Sequence, residues 1–159
     1  DDYVQDCTID TDLEILIPDE YVPPITERLS LYQRLDNSES EEELVALKIE
    51  MADRFGPVPT PVEDLFTTVR CRKLAIELGF EKMSLKDETL RCFFINRPDS
   101  PYFESATFQS ILAYLQTETR LAHLKQTGRL FLLVVNEMKG MEGVHRFLQS
   151  LADWVQKKR

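Results

Sequence analysis

Phosphate cradles are missing from this sequence: no segment reads GxxxxGK followed by Ser or Thr, and none reads GxGxxG. GxSxG and HExxH are missing too, which removes the common serine-hydrolase and zinc-protease arrangements. Cysteine is scarce. Cys7, Cys71 and Cys92 are odd in number, widely spaced and form no CxxC, and with His123 and His145 they match no zinc pattern. They are expected to be reduced, buried or half-buried thiols of a cytoplasmic protein, and the two histidines ordinary surface or rim residues. No long apolar run is present. Leu130 to Val135 is the longest, far below the roughly 20 residues that a membrane helix needs, and no basic end precedes an apolar leader. A soluble chain with no membrane partner is therefore expected. Glycine is low, at five residues, and proline is scattered, which argues against a disordered or fibrous chain. Positive charge is in deficit: 19 Lys and Arg face 28 Asp and Glu, a formal −9. Such a surface repels phosphate backbones, so no direct nucleic-acid partner is expected; a basic protein partner or plain solubility suits it better. The short basic end Lys157 to Arg159 reads as helix-dipole contact or solvation.

What is present is 159 residues, one domain by length and enough chain for a real core. The first residue is Asp rather than Met, which reads as a piece excised or processed from a longer protein. Residues 1–8 are polar and read as a linker or tail, leaving 9–159 as a single domain. Ile9, Leu13, Ile15 and Ile17 fall on odd positions with acids between most of them and predict a half-buried strand ended by Pro18. Three helices should follow, over 24–36, 40–55 and 60–78. The first opens at Pro23-Pro24 with the stripe Ile25, Leu29, Tyr32 and Leu35. The second has Ser40 and Glu43 as a capping box, the stripe Leu44, Leu47, Met51 and Phe55, and a stop at Gly56-Pro57. The third has Thr60 as cap, Pro61 as first residue, Glu63 returning to the cap, and a stop at Gly79, after which Phe80 folds back on Leu74 or Ala75. The period then changes. Met83, Leu85, a turn at Asp87-Glu88 and Leu90 to Ile95 predict one β-hairpin; Leu121 to Leu124, a turn at Thr127-Gly128 and Arg129 to Val135 predict another. A helix around Phe108 to Leu115 separates them, and a last helix carries Val144, Phe147, Leu148, Leu151 and Trp154. The order strand-helix-helix-helix-hairpin-helix-hairpin-helix is that of an α+β fold with helices packed on antiparallel hairpins.

Two acidic groups are candidate sites. Asp10, Asp12 and Glu14 alternate on the predicted first strand and would share a face that could hold a divalent cation, although no glycine-bent loop wraps an ion there. Glu50 and Asp53 are three apart near a helix C-terminus, where the dipole disfavours negative charge unless something basic meets it. Local pairing with Arg54 or Lys48 is the alternative, and Phe55 is expected in the core.

The run IPDEYVPPITERLSLYQRL, then EEELVALKIEMADRFGPVPTPVEDL, then ELGF, closely resembles the C-terminal domain of bacterial transcription-repair coupling factors. The family's IP-x-x-(Y/F)-(I/V) start stands here at Ile17-Pro18 to Val22, its RL-x-x-Y-(K/R)-R helix at Arg28-Leu29 to Arg34, and its DRFG-x-x-P turn at Asp53, Arg54, Phe55, Gly56 and Pro59. Gln33 departs from the usual basic residue. The match is clear from about Ile9 to Phe80 and rests on the order and size of elements beyond. The resemblance implies a parent that couples transcription to nucleotide-excision repair, with an ATP- and magnesium-dependent DNA-translocase motor, no ATPase motif of which lies in this chain. It implies a monomeric, non-catalytic, autoinhibitory domain with no cofactor of its own. That domain would clamp the UvrB-like N-terminal module of the same protein, mask UvrA binding and restrain the motor until stalled RNA polymerase is engaged and released. It assigns Glu50 and Asp53 to the intramolecular interface, and Arg54, Phe55, Gly56 and Pro59 to the structure of the motif. Two readings compete with it: a nucleic-acid-binding appendage of the motor, and a metal-dependent enzyme using Asp10, Asp12 and Glu14. Contact with RNA polymerase after release stays open.

Overall fold

Helical and strand periods alternate along the chain as the apolar spacing dictates. A computed structural model describes residues 3–117 and 120–158. Its elements are β1 (Thr8–Thr11), α1 (Ile25–Asp36), α2 (Glu41–Phe55), α3 (Thr60–Leu78), β2 (Phe80–Lys86), β3 (Thr89–Phe94), a 3-10 turn (Pro101–Glu104), α4 (Ala106–Thr117), β4 (Ala122–Thr127), β5 (Leu130–Val135) and α5 (Met141–Lys158). This is the expected α+β order. The chain divides into two compact units, residues 14–69 and residues 1–13 with 70–159, and the division falls within α3.

The helical unit buries Ile17, Val22, Leu31, Leu35, Leu44, Leu47, Met51, Val62, Phe66 and Val69 together. The α2 stripe is the one its spacing predicts, with Phe55 half-buried. The α1 stripe is met in part: Leu35 is buried and Tyr32 packs against the core as expected, but Leu31 joins them while Ile25 and Leu29 are 62% and 57% exposed. All of these positions lie within reach of a helical stripe, and only the position of the neighbouring helices selects among them. The caps also differ in detail. The Ser40 hydroxyl accepts from the Glu43 amide at 3.2 Å, but the Glu43 carboxylate reaches past Ser40 to the Glu39 amide at 2.7 Å. At α3 the Pro59 carbonyl accepts from Val62 and Glu63, so Thr60 is already helical, and the Glu63 carboxylate pairs with Lys48 instead of returning to a cap.

The other unit is built on one five-stranded sheet in the order β1-β2-β3-β5-β4. Both predicted hairpins form: β2 with β3 and β4 with β5 are antiparallel, and β3 joins β5. The non-glycine turn residues Asp87 and Glu88 have φ of 50° and 56°, the two-residue geometry that matches strand twist. The first strand departs from expectation. It is short, pairs parallel with β2 (Ile9 opposite Met83), and its last ladder bond runs from the Asp12 amide to the Leu85 carbonyl. Burial nevertheless alternates on to Ile17, which is the pattern that suggested a longer strand. Val4 and Cys7 are buried, so the segment read as a polar tail contributes packed residues; Asp1 and Asp2, like Arg159 of the basic end, lie outside the described residues. Phe80 does not fold back on α3 but opens β2, its ring 5.1 Å from Phe94. Phe94 sits at the centre of an aromatic cluster, 5.4 Å from Phe108 and 5.2 Å from Phe131. Cys7, Cys71 and Cys92 are buried and free; burial pushes the thiols of Cys7 and Cys71 up to about 12, so they stay protonated and unreactive at neutral pH. No described helix is long and apolar enough to cross a membrane.

Candidate functional site

Three of the motifs that carry the family resemblance, at Ile17 to Val22, Arg28 to Arg34 and Asp53 to Pro59, meet in the helical unit. The Tyr21 hydroxyl donates to the Gly56 carbonyl at 2.9 Å, with the Met51 carbonyl at 3.3 Å, and its ring stands edge-on to Phe55 at 5.8 Å. The Ile17 amide donates to the Tyr32 hydroxyl at 2.7 Å. Arg28 donates to the Val22 and Pro23 carbonyls, both at 2.8 Å, and lies 3.5 Å from Asp19. Gly56 ends α2 with φ 93° and ψ −173°, a region open almost only to glycine, and its amide closes on the Ala52 carbonyl. The Arg54 guanidinium lies 4.7 Å from the centre of the Phe55 ring. The IP-x-x-Y-V start, the α1 helix and the DRFG turn are thus bonded to one another.

Glu50 is built into the same framework. Both of its carboxylate oxygens accept from Arg34 of α1, at 2.6 and 2.8 Å, and Arg54 adds a contact at 3.2 Å. Arg54 also bonds Glu27 of α1. The four side chains form a neutral chain, Arg34–Glu50–Arg54–Glu27, that ties α2 to α1. Of the two local partners considered for Glu50, Arg54 takes part and Lys48 does not, since Lys48 bonds Glu63 at 2.6 Å. Arg34, the main partner, lies 16 positions away on another helix and gave no local signal.

Hydrogen bonds from Arg34 first, then from Arg54, hold the Glu50 carboxyl at about 2, below its ordinary 4.5. A depressed carboxylate stabilises the fold above its unfolded-state value, and that stabilisation is lost as pH falls through the folded value. Wild type should therefore gain most over Glu50→Gln above about 4.5, and the gain should vanish toward pH 2. Urea midpoints of both proteins across that range measure it; a constant difference would show that the charge of Glu50 plays no part.

Asp53 is different. It is exposed and has no ion-pair partner among the described residues. One helical turn before it stands Ile49, 58% exposed, then Val45, 44% exposed, and then exposed Glu42. Positions 42, 45, 49 and 53 form one stripe on α2. The sequence reading missed Val45 and Ile49. The signal for them was available as apolar residues off the Leu44-Leu47-Met51 stripe.

The acidic trio does not assemble. Strand pairing ends near Thr11, so Glu14 is not on one strand face with Asp10 and Asp12. Asp10 is bonded to Lys86 at 2.8 Å, and Asp12 accepts from the Asp87 amide at 2.9 Å, where it steadies the hairpin turn. Among the described residues no group of three or more His, Cys, Asp or Glu is placed to hold a metal ion. His123 is exposed on β4 and His145 half-buried on α5.

Comparison with known proteins points one way. The TRCF domain family model matches residues 11–105. The transcription-repair-coupling factor of Escherichia coli (strain K12) is 35% identical over 79 residues, which is 50% of this chain and 7% of that protein. The one from Rickettsia bellii (strain RML369-C) is 31% identical over 123 residues, 77% of this chain and 10% of that protein. A crystal structure of the C-terminal domain of a transcription-repair coupling factor shares the fold, with a TM-score of 0.75 at 19% identity over 97% of this chain and 96% of that one. The chain spans a tenth or less of the length of these two curated relatives.

Proposed function

Because this chain belongs to the TRCF domain family, we propose that it is a regulatory docking domain of a larger transcription-repair coupling factor and that the outer stripe of α2 is its docking surface. The observation that carries this reading is the stripe Glu42, Val45, Ile49 and Asp53, two exposed aliphatic side chains between two acids. Exposed aliphatics rimmed by charge suit a protein partner whose surface is apolar at the centre and basic at the rim. The family resemblance names that partner as the UvrB-like module of the same protein. Docking there masks UvrA binding and restrains the ATP- and magnesium-dependent motor until RNA polymerase is engaged. Glu50 and Asp53 divide the work. Asp53 meets the partner's basic groups, whereas Glu50 orders Arg34 and Arg54 and keeps α2 on α1. The domain itself performs no chemistry.

The test is binding of this chain to the isolated UvrB-like module at two salt concentrations. Ile49→Glu should weaken binding by about 2 kcal/mol or more, because it places a charge in the apolar centre of the contact. Asp53→Lys should weaken it too and reduce its salt dependence. Wild-type affinity in both variants would overturn the assignment of this stripe.

A further inference from the structure

The sheet carries a second surface of opposite sign. Strand register aligns Lys82, Phe93, Leu132 and Lys125 in one row across β2, β3, β5 and β4, and Ser84, Arg91, Val134 and His123 in the next. Residues directly opposite one another share a face, and so do alternate positions along a strand. Lys86, and Thr8 and Asp10 of β1, belong to that same face. Four cations, Lys82, Lys86, Arg91 and Lys125, therefore stand against two carboxylates, Asp10, which is bonded to Lys86, and Asp12, which follows on the same side and whose charge also acts on Lys86. That is a local +2 in a chain of formal charge −9. Lys82, Lys86, His123 and Lys125 are exposed, Arg91 and Phe93 are half-buried, and Ser84, Leu132 and Val134 are buried, so the accessible part of the face is its cationic flanks and the Phe93 ring. Lys82, Arg91 and Lys125 have no carboxylate partner among the described residues, whereas in the helical unit Arg28, Arg34, Lys48 and Arg54 each have one. Lysine on an edge strand guards against stray pairing. That accounts for Lys125 on β4 but not for Lys82 and Arg91 on inner strands.

We propose that this sheet face docks an acidic, amphipathic helical segment of a protein partner. Lys82 and Lys125 stand three strand spacings apart, roughly 14 Å. A helix with its side chains is about 10–12 Å across, so carboxylates on its two flanks reach both lysines at once. Between them the Phe93 ring offers an apolar seat. A nucleic-acid single strand fits less well. The acidity of the whole chain opposes a polyanion, and the Lys82 ammonium already lies 5.4 Å from the centre of the Phe93 ring, the one phenyl group of these rows. This surface is independent of the α2 stripe, and either can fail alone.

The experiment is an amide chemical-shift titration of the whole chain with a synthetic Glu/Ala/Leu amphipathic peptide. Shifts should map to the two rows on β2, β3, β5 and β4. Lys82→Glu with Lys125→Glu should raise Kd at least about tenfold, the neutral Lys82→Gln with Lys125→Gln pair should raise it less, and added salt should weaken binding throughout. A peptide with Lys in place of Glu should leave the rows unmoved. No shifts, shifts confined to α2, or an unchanged Kd in the folded charge-reversal variant would overturn the proposal. So would tighter binding of an equally charged thymidine oligonucleotide to these rows, which would assign the face to nucleic acid. Shifts that follow protein dilution rather than peptide would assign it to a second copy of the chain.

Discussion

Gly79→Ala should destabilise this protein by about 3–5 kcal/mol, the sum of a conformational and a steric cost. Gly79 follows α3 at φ 92°, where an L side chain is strained. A Cβ there would also stand 2.2 Å from the Tyr102 ring. Tyr102 cannot easily withdraw. It is buried, its hydroxyl donates to the Leu78 carbonyl at 2.6 Å, and its ring lies among Tyr3, Phe94, Phe103 and Phe108. Gly56→Ala is the internal comparison. Its φ of 93° is equally unfavourable, but nothing lies within 4 Å of the added atom. Strain alone predicts about 1–3 kcal/mol. For a chain of this size each kcal/mol lowers Tm by about 2–4 °C, so thermal melts should separate the two variants. Adding Tyr102→Ala to Gly79→Ala should cost less than the sum of the single changes, because the clash has been removed. Equal losses for the two alanine variants would show that the close approach of Tyr102 carries no energy.

The largest functional effect is expected from Ile49→Glu with Asp53→Lys in the full-length parent. A clamp tethered in one chain works at an effective concentration of about millimolar, so a few kcal/mol decide whether it is open or closed. An apolar anchor replaced by a charge and a reversed rim charge together remove about that much. The variant should bind UvrA more tightly and hydrolyse ATP without polymerase, while this domain keeps its fold, since both side chains are exposed. Glu50→Ala should behave differently. It leaves Arg34 without its bidentate partner and Arg54 with Glu27 alone, so it should loosen α1 against α2 and lower the domain's urea midpoint. Any gain in UvrA binding should then track that loss. Unchanged UvrA affinity in the Ile49→Glu/Asp53→Lys parent, with the domain folded, would leave the stripe a solvated face.

Much of this was legible in the residues because it is local. Gly56-Pro57 and Gly79 end helices through backbone preference, and Ser40 caps α2 through a bond three residues long. The turn at Asp87-Glu88 follows from the change of period on either side, and the second hairpin turn lies at Gly128-Arg129, one residue beyond the Thr127-Gly128 expected, because Thr127 still pairs with Leu130. The family match was legible as well, since the IP-x-x-Y-V, RL-x-x-Y-x-R and DRFG pieces each stand in short runs.

Four features were decided only in three dimensions. Of the expected stripe Ile25, Leu29, Tyr32 and Leu35 only the last two pack inward; the placement of neighbouring helices left Ile25 and Leu29 outside and brought Leu31 in. Period two could show that residues 9–17 alternate, but not that pairing stops near Thr11 or that the partner is β2, more than seventy positions on. Glu50 and Asp53 look alike along the chain; the approach of Arg34 from α1 ties one inward and leaves the other beside Ile49. The basic rows of the sheet draw on residues from 82 to 125, so a chain whose composition is acidic acquires a cationic face. Local preference set which elements form and where the helices stop, because those forces act within a turn or two of the chain. Which faces those elements bury, and which charges they leave unpaired, was decided by contacts between residues far apart in sequence, whose energies depend on distances that only the assembled fold sets.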